Sequence, residues 1–185
     1  MKKNLSIFSA LLVAAILSGC ATPARVDQMT SSVRADQRIA NTPLRSNIAV
    51  RDVTGGQDTN PMWVAKVGNS EFEQALEMSL RDAGLLANGK QAGKYQMTAQ
   101  MEKIDQPMVG ASMTVTATIS YALYERATGK EVLKRTISLP YTAAWYAAFI
   151  GGERLKIATE GAIKTNIGKI IDDMLAARID GVAMN

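Results

Sequence analysis

From Met113 to Leu123 every odd-numbered residue is apolar, while Thr114, Thr116, Thr118 and Ser120 lie between them. A period of two puts alternate side chains on opposite sides of an extended chain, so this segment reads as a strand with one dry face and one wet face. Tyr95, Met97, Ala99 and Met101 alternate in the same way with Gln96, Thr98, Gln100 and Glu102, and a third run extends from Val132 to Leu139. Arg126-Ala127-Thr128-Gly129 separates the last two runs and predicts the turn of a long antiparallel hairpin. Ile48 and Val50 mark a further strand, ended by Thr54-Gly55-Gly56. A sheet with a single apolar face is covered by helices on that face only. The expected class is therefore α+β: an antiparallel sheet of about four strands with two helices packed on one face.

Two segments supply those helices. Ser70 and Glu73 have capping-box spacing, Phe72, Leu76, Leu80 and Ala83 share a helical face, and Gly84 provides a stop. The last element is expected from about Glu153 to Arg178, with Ile163, Ile167, Ile170, Ile171, Met174 and Leu175 as its apolar stripe. Gly161 and Gly168 fall in that helix, where each glycine costs about 1 kcal/mol relative to alanine. Such positions admit close approach by another surface, either this domain's own sheet or a partner. Both are therefore candidate partner-binding residues.

The amino terminus has a different character. Lys2 and Lys3 precede a mostly apolar run from Leu5 to Leu17, shorter than the roughly 20 residues of a spanning helix. The run ends in Leu17-Ser18-Gly19-Cys20, and Cys20 is the only cysteine of the 185 residues. This segment resembles the bacterial lipoprotein signal. The resemblance implies removal of residues 1–19 as signal peptide, acylation of Cys20 including palmitate, and anchoring to a membrane through lipid. Ala21 stands where lipoproteins retained at the inner membrane usually carry Asp, which implies the periplasmic face of the outer membrane. Residues 20–46 are polar, with a thin apolar stripe of Val26, Met29, Val33 and Ile39, and read as the lipidated end plus a flexible tether. A flexible chain of that length would hold the domain about 30 Å from the bilayer. Residues 47–185 make the single α+β domain.

Charge and composition exclude several functions. Removing residues 1–19 takes away Lys2 and Lys3 and leaves 19 basic against 17 acidic residues, too small an excess to argue for nucleic acid. There is no histidine, which rules out histidine triads, histidine-ligated zinc and histidine acid–base chemistry. Neither Gly55-Gly56 nor Gly151-Gly152 continues into a phosphate-binding pattern. No cofactor, metal site or catalytic residue is expected, and the chain is read as a non-enzyme. Carboxylates such as Asp52, Asp58, Glu153 and Glu160 leave an envelope hydrolase as the least favoured reading.

Pro140 to Gly152 contains Trp145, Tyr146 and Phe149 and no charge. Either the rings cover the end of the sheet, or they are exposed as a docking surface for a protein or an acyl chain. The hairpin from Ile119 to Val132 and the stretch Ala148-Phe149-Ile150-Gly151-Gly152-Glu153-Arg154-Leu155 are similar to small α+β outer-membrane lipoproteins. Among these are auxiliary lipoproteins of ABC-type transport systems and the lipopolysaccharide-assembly lipoprotein. That resemblance implies an accessory or interaction subunit of a transport or surface-assembly system, with an envelope protein as partner. A periplasmic carrier of lipid or another small apolar ligand is the alternative, and it calls for an apolar cavity under the sheet.

Overall fold

The computed structural model describes residues 23–34, 42–57 and 66–176. In chain order the elements are α1 (Val26–Met29), β1 (Ile48–Thr54), α2 (Asn69–Asp82), β2 (Tyr95–Asp105), β3 (Met113–Glu125), β4 (Glu131–Ala143) and α3 (Gly151–Ala176). The four strands form one open sheet in the order β1-β2-β3-β4. The α+β class holds, with α2 lying against β1 and α3 against β3 and β4.

One pairing differs from the expected antiparallel arrangement. β1 runs parallel to β2, with Ile48 opposite Tyr95 and Val53 opposite Ala99. The reason is the connection. α2 crosses over the apolar face and returns the chain to the start of the sheet, and a crossover of this kind makes parallel neighbours. β2, β3 and β4 are antiparallel, and Ile119 is flanked by Met101 and Ile137. At the hairpin turn Gly129 takes a φ of 70°, and Glu125 and Lys130 close the loop through a 2.8 Å backbone bond. The odd-numbered residues of β3 from Met113 to Leu123 are all buried, as the alternation requires.

The first long helix begins two residues earlier than its spacing suggests. Gly68 is the N-cap and makes no side-chain cap bond, so Ser70 and Glu73 do not form a capping box. Ser70 lies inside the helix and accepts from Gln74, while Glu73 pairs with Lys90. The stop at Gly84 is real. Its φ of 70° lets Leu85 N–H reach Leu80 O at 2.8 Å and Gly84 N–H reach Arg81 O at 3.0 Å, which satisfies carbonyls at the helix end.

Part of the expected tether is folded onto the domain. Met29 and Leu44 are fully buried, Ala24 nearly so, and all three belong to the same core as α2, α3 and the sheet. α1 lies across both α2 and α3 and adds a third helix to the two expected. Three apolar side chains at Val26, Met29 and Val33 make only a narrow stripe, but the adjoining helices supply the rest of the contact. Ser31 N–H donates to Ser79 Oγ at 2.9 Å and Val33 N–H to Asp82 Oδ2 at 3.1 Å, so backbone bonds reinforce the packing. Residues 1–19 and Cys20 lie outside the described residues.

Candidate contact surface

α3 is fixed to the sheet by one polar side chain in the middle of its apolar face. Asn166 is fully buried, and its Nδ2 donates to Ala117 O and Ile137 O, both at 2.9 Å. Tyr121 donates its hydroxyl to Asn166 Oδ1 at 2.9 Å. Burial pushes the Tyr121 phenol well above its ordinary range, so it stays neutral and remains a donor. The helix is therefore held in one register on β3 and β4.

With α3 fixed, the loop that precedes it is placed at the open end of the β3–β4 pair, where Met113 lies opposite Ala143. Arg154, on the first turn of α3, donates from Nη1 to Ala148 O at 2.7 Å and to Phe149 O at 3.1 Å and so secures the loop backbone. The side chains of that loop point outward. Trp145 is 67% exposed, Tyr146 75%, Ile150 70% and Phe149 fully. Trp145 and Tyr146 meet edge to face with centroids 5.7 Å apart. The loop between β2 and β3 leaves Met108 and Val109 almost completely exposed as well. Gln106, at its start, donates to Thr159 Oγ1 on α3 at 2.9 Å, which ties this loop to the same end of the helix. The rings thus do not cover the sheet, whose end is filled by Met113, Ala143 and Leu155 instead.

The small-residue face of α3 is divided between two roles. Gly161 is covered by the Tyr141 ring of β4, which occupies the space a Cβ would take. Gly168 faces Ser31, whose Oγ would lie 2.8 Å from an added Cβ. Both glycines border a groove of about 540 Å³ between α1, β4 and α3, with Lys164, Lys169 and Asp172 at its mouth. Glu160 lines the same groove, is 5% exposed, and accepts the Arg25 backbone N–H at 2.8 Å. Burial raises the Glu160 carboxyl above its ordinary value, against the opposing effects of that amide and of Lys156. A charged, open groove outside the sheet is unlike the apolar chamber that a lipid carrier needs.

Among the described residues no cluster of three or more carboxylate or cysteine side chains is placed to hold a metal ion. No described helix is long and apolar enough to cross a membrane. Of the residues singled out by sequence, Trp145, Tyr146 and Phe149 form one exposed cluster, while Gly161 and Gly168 lie apart from it on α3. Sequence reasoning missed Met108 and Val109, which lack periodic neighbours, and Asn166, a polar residue in an otherwise apolar stripe.

No protein-family model and no curated protein matches the sequence. The fold is shared with solved structures. Protein XCC0632 of Xanthomonas campestris, assigned to the family DUF330, has a TM-score of 0.54 at 11% identity over 80% of this chain and 91% of that one. The PelC dodecamer subunit of Paraburkholderia phytofirmans has a TM-score of 0.50 at 16% identity over 80% and 95%. A minor lipoprotein of Acinetobacter baumannii has a TM-score of 0.46 at 9% identity over 72% and 94%. At these identities the likeness to the first two is one of fold alone. The class so defined is a small α+β domain with an open four-stranded mixed sheet covered on one face by helices.

Proposed function

We propose that this chain is a non-enzymatic envelope lipoprotein, anchored by acylated Cys20 at the periplasmic face of the outer membrane, that serves as an accessory subunit in transport or surface assembly. One observation carries the reading. Six large apolar side chains from two loops are exposed at one end of the domain, with no charge between Pro140 and Gly152. A surface of that composition works by contact, since it offers no acid, base or nucleophile.

The test is photo-cross-linking in intact envelopes, with a reactive side chain at Lys164 in the groove or at Phe149 in the apolar end. Both positions are exposed, so the label leaves folding undisturbed. A discrete protein adduct from either position supports the accessory role. Absence of protein adducts from both overturns it.

A further inference from the structure

The path of the N-terminal segment relates the exposed end to the lipid anchor. Arg25 lies against Glu160 and Ser31 against Gly168, so the chain from 25 to 31 runs in the same direction as α3. Followed backward from Arg25, it heads toward the N-terminus of α3, where the loop bearing Trp145 and Phe149 ends. Glu160 is nine residues into the helix from Gly151, about 14 Å along its axis. Arg25 lies five residue steps beyond Cys20, a path of up to about 17 Å when extended. Fully extended, that path is long enough for an acylated Cys20 to lie at the level of the apolar end.

We propose that this end is the face on which the domain rests in the membrane: Trp145, Tyr146, Phe149 and Ile150, with Met108 and Val109 beside them, enter the interfacial layer of the leaflet that holds the acyl chains of Cys20. The proposal rests on the lipid-anchor reading and specifies what the apolar end touches. Tryptophan and tyrosine favour the headgroup level, where the ring is shielded and its polar atom stays hydrated, while Phe149 and Ile150 suit the acyl boundary below it. An acyl anchor on the same side raises the local concentration of this end at the leaflet, so even a modest apolar contact is occupied. The short path from Cys20 to Pro23 allows little separation of the domain from the bilayer. Loops at the far end of the sheet, such as the one at Thr128 and Gly129, then point into the periplasm.

The proposal is tested with full-length protein isolated from envelopes, carrying Trp63→Phe so that Trp145 is the only tryptophan. The protein is reconstituted in phosphatidylethanolamine–phosphatidylglycerol vesicles whose acyl chains are brominated near the headgroup. Trp145 emission should shift to the blue, lose intensity to the brominated lipid and resist aqueous iodide. Phe149→Glu, at a fully exposed position, should reverse all three effects with an unchanged melting temperature. Emission quenched by iodide and indifferent to bromine in vesicles overturns the proposal. Shielding that arises only in intact envelopes assigns the end to a protein and overturns it equally. Palmitate labelling of the same preparation separates the two readings. Labelled protein with a water-exposed Trp145 leaves the anchor standing and removes the membrane seat, and unlabelled protein with bromine-quenched Trp145 does the reverse.

Discussion

The main-chain amide of Arg25 donates to the buried carboxyl of Glu160 at 2.8 Å, joining the N-cap of α1 to the first half of α3. Met29, four residues on, is fully buried beneath the helices. Together these contacts turn a presumed spacer into part of the domain. On the proposed membrane seat, the orientation of the domain would follow from these contacts.

Glu160 makes that attachment dependent on pH. Its folded-state carboxyl titrates above its ordinary value of 4.5 because burial disfavours the charge. The folded chain thus holds this proton more tightly than the unfolded chain. The contribution is fully present below 4.5 and is lost as pH rises through the raised folded value. Glu160→Gln keeps an oxygen for the Arg25 amide and carries no charge, so it should remove this slope and be no less stable at neutral pH. Glu160→Ala should cost about 1–3 kcal/mol by orphaning the amide. Urea unfolding across the acidic-to-neutral range checks both variants.

Asn166 is the polar pin of α3. Asn166→Ala removes its bonds to Ala117 O, Ile137 O and the Tyr121 hydroxyl in a fully buried site, and should cost about 3 kcal/mol or more. Tyr121→Phe removes only one of these bonds and should cost less. Denaturant midpoints of the two variants give the comparison.

Gly161 and Gly168 should respond in opposite ways to the same substitution. Alanine adds about 1 kcal/mol of helix propensity at each. At Gly161 the new methyl collides with the body of the Tyr141 ring, so Gly161→Ala should destabilise the domain. In a Tyr141→Ala background the same change should stabilise it. At Gly168 the obstacle is the rotatable Ser31 hydroxyl, and Gly168→Ala should be neutral or stabilising. Thermal melts of the four proteins decide the matter.

The strands are legible in the sequence because their signal is local. Six apolar residues at odd positions of β3 set its buried face without reference to anything else. The parallel β1–β2 pairing is not legible in the same way, because it depends on where α2 carries the chain. Val26, Met29 and Val33 announce an amphipathic turn, but their burial depends on α2 and α3, which are distant in sequence. The aromatic loop shows a related ambiguity. Its uncharged composition suits a core or a contact surface equally, and the choice follows from Met113, Ala143 and Leu155 already filling the sheet end.

Acylation of Cys20 underlies the whole account, and labelled palmitate tests it most directly. The unaltered chain should incorporate palmitate and sediment with the outer membrane, whereas Cys20→Ser, which removes the only thiol, should incorporate none. Undiminished labelling of Cys20→Ser, or an unaltered chain that takes up no label, would contradict the account.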